Sequence, residues 1–101
     1  SKETFFKDPL LLKVNRTQSV PSKKKLIDEL IQFHDIVRHH NQLSTDTEEY
    51  IQFLIDDLNN DVPRASIIKT VLPSFRKAFE QSPYEKSAQK LSINIWRFID
   101  A

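Results

Sequence analysis

Not one of the 101 residues is glycine. Glycine carries the backbone through positive φ without a steric penalty, so hairpin turns, phosphate-cradling loops and close backbone approaches to a ligand normally draw on it. A chain without it is poorly equipped for a hairpin-rich β fold and lacks every glycine-rich nucleotide motif. Helices do not need it, because Pro, Asn, Asp, Ser and Thr can finish their ends. The expectation is an all-α fold.

The chain also contains no Cys and no Met. Without cysteine there is no disulfide and no thiolate metal site, as is usual in cytosolic or nuclear proteins. No apolar run approaches the roughly 20 residues needed to span a bilayer, and no signal peptide is visible. The sequence begins with Ser rather than Met, as expected of a segment cut from a longer protein.

The net charge of +1 conceals an asymmetry. Residues 1–25 carry seven basic residues (Lys2, Lys7, Lys13, Arg16, Lys23, Lys24, Lys25) against Glu3 and Asp8, a balance of +5. Residues 26–101 carry eight basic and twelve acidic residues, a balance of −4. A mildly acidic body is a poor phosphate-backbone binder, since non-specific nucleic-acid affinity depends on clustered Lys and Arg. At most a weak, non-specific contribution from the basic leader is expected.

That leader, residues 1–22, shows no helical periodicity. Phe5, Phe6, Leu10, Leu11 and Leu12 make it too apolar for a plain linker, and Pro9 interrupts it. It reads as an extended arm whose apolar residues dock on the helical body or bind a partner, since left exposed they would invite aggregation. Lys23, Lys24 and Lys25 read either as a solvated first helical turn or as part of a nuclear localisation signal.

From there on the pattern is helical. Ser22 is a suitable N-cap for a helix to about residue 41, in which Leu26, Ile27, Leu30, Ile31, Phe33 or His34, and Val37 build one apolar face. Thr45 and Glu48 form a capping-box pattern opening a second helix, with Tyr50, Ile51, Phe53, Leu54, Ile55 and Leu58 inward. Asp61 is placed to cap a short third helix over residues 62–69, with Pro63 in its first turn. Pro73 opens a fourth, carrying Leu72, Phe75, Ala78 and Phe79. Ser82 caps a fifth to about Ile99, with Tyr84, Ala88, Leu91, Ile95, Trp96 and Phe98 or Ile99. The expected architecture is a compact right-handed bundle of about five helices over residues 23–101, preceded by the arm.

Chemistry is hard to find. His34, His39 and His40 are spaced by five and six, not the three or four that put two zinc ligands on one helix face. They read as solvated residues near the negative end of a helix dipole. Asp56 with Asp57, and Glu48 with Glu49, are helix neighbours whose side chains diverge, and no cleft or pKa perturber is indicated. No nucleophile constellation emerges. No enzyme activity, cofactor, metal or small-molecule substrate is expected.

The second half carries a resemblance. Val62-Pro63-Arg64-Ala65-Ser66-Ile67-Ile68-Lys69-Thr70, then Ser74-Phe75-Arg76-Lys77-Ala78-Phe79, then Ser87-Ala88, Leu91 and Trp96-Arg97-Phe98-Ile99 resemble the TFIIS N-terminal domain. Within that superfamily the chain is most similar to the integrase-binding domain of LEDGF/HDGF-type chromatin proteins. The spacing of basic pair, loop and aromatic from Thr70 to Trp96 matches it without a gap, and Tyr50-Ile51-x-x-Leu54 falls where its second helix should. The resemblance covers residues 26–100. It implies a five-helix docking hub of nuclear transcription or chromatin complexes, which binds short disordered motifs of a few acidic residues preceding an aromatic anchor. The implied groove lies between the loop joining the first two long helices and the loop before the last.

On this chain those loops contain Gln42-Leu43-Ser44 and Gln81-Ser82-Pro83-Tyr84. The candidate partner-binding residues are therefore Leu43, Ser44, Pro83 and Tyr84, with Arg76 and Lys77 to attract acidic flanks. Leu43 and Tyr84 serve equally well as packing residues beside a helix start, and Trp96 reads as core. One position differs from the resembling domain, whose first loop holds an Asp that receives the partner's backbone hydrogen bonds. Here Gln42, Leu43 or Ser44 stands there. The rival reading is a structural subunit whose apolar arm (Phe5, Phe6, Leu10, Leu11, Leu12) clips onto another chain. No membrane contact is expected in either case.

Overall fold

The computed structural model describes residues 20–101, and among them are four α-helices and no strand: α1 (Lys23–His40), α2 (Thr45–Leu58), α3 (Ala65–Ala78) and α4 (Glu85–Asp100). The arm expected over residues 1–22, with Phe5, Phe6, Leu10, Leu11 and Leu12, lies outside the described residues except for its last three.

Each helix packs on the next, and α4 closes against α1. Connections this short force consecutive helices to run antiparallel. The α1–α2 and α3–α4 loops therefore share one end of the bundle, which we call the loop end. The α2–α3 loop, the entry to α1 and the last turn of α4 share the other. A hydrogen bond from Lys23 Nζ to the Asn60 carbonyl crosses that second end.

The core follows from three- and four-residue apolar spacing on every helix. Leu26, Leu30, Phe33 and Val37 come from α1, and Ile51, Leu54 and Leu58 from α2. Ile68, Leu72 and Phe75 come from α3, with Phe79 just beyond it, and Ala88, Leu91 and Ile95 from α4. Tyr50, Phe53, Ile55, Trp96, Phe98 and Ile99 pack partly buried around them. Two expected core residues sit outward instead, Ile31 and Ala78. Both lie at the edge of their helix's apolar arc, where burial depends on how close the neighbouring helix comes.

Helix starts differ from expectation in instructive ways. Ser22 does cap α1, accepting a hydrogen bond from the Lys25 amide at 3.2 Å. At α2 the cap is Ser44 rather than Thr45, its Oγ accepting from the Thr47 amide at 3.1 Å. Either residue could cap. Using Ser44 adds a residue to the helix and leaves Glu48 free to meet His34 on α1 at 2.5 Å.

The helices expected over residues 62–69 and from Pro73 are one helix, α3, with Pro73 inside it. Asp61 and Pro63 precede it and cap nothing. An interior proline costs about 3 kcal/mol or more. Burying Leu72, Phe75 and Phe79 contributes about 1.5–3 kcal/mol each, and those residues share a face with Ile68 only if the helix is continuous. Pro73 itself is exposed. Burial therefore outweighs the missing backbone bond.

Ser82 does not cap α4. Its Oγ donates to the Phe79 carbonyl at 2.6 Å and accepts from the Tyr84 amide at 3.2 Å. The Glu85 amide reaches the Ser82 carbonyl at 3.2 Å, so a tight turn precedes the helix proper.

The missing glycine has a visible cost in this loop. Gln81 adopts φ 61°, the left-handed region. A non-glycine residue is disfavoured there by about 1–2 kcal/mol. Replacing it with glycine relieves that strain but adds unfolded-state freedom worth about 0.4–1 kcal/mol. Gln81→Gly is thus expected to stabilise the fold by about 0.5–1 kcal/mol, read from the urea midpoint. An unchanged or lowered midpoint would contradict it.

Candidate functional site

The two loops singled out from the sequence meet at the loop end of the bundle. Asn41, the C-cap of α1, donates from Nδ2 to the Tyr84 hydroxyl at 2.9 Å. Tyr84 is the residue before α4, and its ring stands edge-on to Phe33, with centroids 6.5 Å apart. Phe33 in turn meets Phe75 and Phe79 edge-to-face at 5.7 and 5.0 Å. The loop end therefore rests on a stack of aromatic edges from α1 and α3, which fixes where Tyr84 stands.

Leu43 is half-buried against the core, so part of its surface is already used for packing. Ser44 is exposed, but its hydroxyl is committed to capping α2 and to Thr47 Oγ1 at 2.8 Å. Pro83 is exposed, and Tyr84 is half-buried. Arg76 and Lys77 occupy the last turn of α3, where cations complement the helix dipole. Lys77 is exposed and lines a shallow depression of about 280 Å³ with Asp46, Thr47, Tyr50, Ser74 and Ala78, between the start of α2 and the end of α3.

The electrostatics of this end are mixed. Arg38, His39 and His40 close α1, and Arg76 and Lys77 close α3. Asp46 and Glu48 open α2, and Glu85 opens α4. This end therefore carries both signs rather than a uniformly positive face.

Three polar features depend on partners outside their own helix, although His34 also falls on the apolar face expected of α1. His34 is buried on α1 and held by Glu48 of α2, so it is no solvated helix-end residue. Asn41 is a C-cap whose side chain does its work 43 positions along the chain. Asp57 is buried on α2 and accepts hydrogen bonds from Arg64 and Asn60, unlike its exposed neighbour Asp56. Among the described residues no group of three or more His, Cys, Asp or Glu is gathered as a metal site would require. No helix among them is long and apolar enough to cross a membrane.

Trp96 is partly buried against the core, with Lys69 Nζ over its ring at 5.1 Å. The same ammonium pairs with Asp100 at 2.7 Å, fastening the end of α4 to α3. Compared with protein-family models, with curated proteins and with solved structures, the chain matches none of them.

Proposed function

We propose that this domain is a protein-interaction adaptor that docks short linear motifs on the loop end of its bundle. The observation that carries the reading is the Asn41–Tyr84 hydrogen bond, which joins the α1–α2 and α3–α4 loops into one surface. Loops held by a rigid helical scaffold are the usual carriers of binding residues. Leu43, Pro83 and the exposed part of Tyr84 offer an apolar socket for an aromatic anchor. Arg76 and Lys77 offer charge to its acidic flank. The resemblance to the TFIIS N-terminal and integrase-binding domains supports a nuclear setting in transcription elongation or chromatin complexes, and partners that are disordered protein segments.

Tyr84→Ala is expected to weaken binding of an acidic-aromatic peptide by more than about 2 kcal/mol, roughly thirtyfold in Kd, as for an interface anchor. Tyr84→Phe keeps the ring on Phe33 and loses the tie to Asn41 that joins the two loops, so it is expected to weaken binding by about 1 kcal/mol, less than the alanine change. Helix content by far-UV circular dichroism should survive both changes. Peptide-induced chemical-shift changes that avoid residues 42–44 and 81–84 would refute the assignment.

A further inference from the structure

Two depressions run end to end along one side of α1 and share Glu29 and Gln32. The first opens at Ser22 and Lys25, where residues 20–22 lead into the helix. The second, about 220 Å³, continues between α1 and α4, with Phe33 and Ile36 on one wall and Ser87, Lys90 and Leu91 on the other. Ser22, Lys25, Glu29, Gln32 and Ile36 recur at three- and four-residue steps, so they form one stripe along the helix. Phe33 and Leu91 are almost wholly buried at the floor, whereas Ile36 is 54% exposed. The groove thus ends on an isoleucine left largely open to water beside two large apolar side chains.

The chain enters this groove at its head. Nineteen residues precede Val20, and Leu10, Leu11 and Leu12 stand ten to twelve positions before Ser22. Fourteen helical residues separate Ser22 from Ile36, about 21 Å at the helical rise. Ten residues of extended chain span about 33 Å, so the leucines reach Ile36 without strain. Tethering also gives the segment an effective concentration on the order of millimolar, which a free partner rarely matches. Lys7, Asp8 and Lys13 flank the apolar run, and the groove carries both signs too, at Lys25, Glu29 and Lys90.

We infer that Leu10, Leu11 and Leu12 dock in the α1–α4 groove of their own chain, against Ile36, Phe33 and Leu91. The arm then completes the bundle, and the loop end stays free for a partner.

The absence of cysteine makes the test clean, since Ser87→Cys gives the full chain a single attachment point for a nitroxide. Amide signals of residues 10–12 are expected to lose most of their intensity with that label. They should keep it when the nitroxide sits at Ile67→Cys, on the exposed side of α3. Leu11→Asp should restore the signals in the Ser87-labelled chain while those of α2 and α3 stay in place. Undiminished signals for residues 10–12 with the label at Ser87 would overturn the proposal. So would signal loss in a mixture where nitroxide and isotope reside on different chains, since the arm would then dock on a second copy.

Discussion

Phe75→Ala is expected to lower the unfolding free energy by about 3–5 kcal/mol, the range for emptying a buried aromatic site. Phe75 is wholly inaccessible to solvent and belongs to the aromatic cluster gathered around Phe33. Its ring meets Phe33 of α1 at 5.7 Å and Phe79 at 5.6 Å, both edge-to-face. Truncation removes both contacts and leaves a void in the core that the surrounding helices fill only in part. At about 0.05–0.15 kcal/mol per residue, a domain of this size has roughly 4–12 kcal/mol in all. The substitution therefore takes a third of the stability or nearly all of it. Urea unfolding followed by circular dichroism measures this directly, and a loss below about 1 kcal/mol would mean that the rings are not packed as described. Tyr84, at the half-buried edge of the same cluster, should cost much less on truncation. That difference is what lets its effect on a partner be read separately.

Periodicity and the glycine-free composition sufficed for the all-helical class and most of the buried residues, because those signals are local, but the five helices expected are four among the described residues. What failed was also local in form but decided by distant packing. Thr45 with Glu48 satisfies the capping-box pattern, yet Ser44 caps, and Glu48 instead meets His34, fourteen residues earlier. Asp61, Pro63 and Pro73 together read as a break between two helices. The continuous face of Ile68, Leu72, Phe75 and Phe79 overrides Pro73, and no propensity scale sees that face until α2 and α4 cover it.

The candidate site shows the same division. Short connections place its two loops at one end of any antiparallel bundle of this kind, so their neighbourhood was legible. The bond that joins them was not, since nothing near Asn41 distinguishes it from an ordinary helix-ending asparagine. Whether Ser44 or Thr45 caps α2 was equally illegible, since both residues suit the position. The Ser44 hydroxyl is already engaged within the chain, by the Thr47 amide and Thr47 Oγ1.

Asp57→Ala is expected to cost about 2–4 kcal/mol, by stripping a buried acceptor from the α2–α3 loop. Asp57 is 1% exposed, and one carboxylate oxygen accepts from the Arg64 amide at 2.8 Å. The other accepts from Arg64 Nε at 2.7 Å and from Asn60 Nδ2 at 3.1 Å. The carboxylate thereby fastens both ends of the loop and presents the first turn of α3 to α2. The Arg64 guanidinium also lies 5.5 Å from the Phe53 ring centroid. Because the Arg64 side chain is 57% exposed, water takes over part of its role when the pair is broken. Arg64→Ala should therefore cost only about 1 kcal/mol, the backbone bond to Asp57 being retained. Asp56→Ala provides the contrast, since Asp56 is exposed and accepts from Gln52 along the helix surface, where such changes stay within about 0.5 kcal/mol. The expected order of destabilisation is Asp57, then Arg64, then Asp56. Hydrogen exchange at the Arg64 amide should quicken in Asp57→Ala and not in Asp56→Ala. Equal effects at the two aspartates would mean that the carboxylate does not hold this loop, and that α3 is positioned by its apolar face alone.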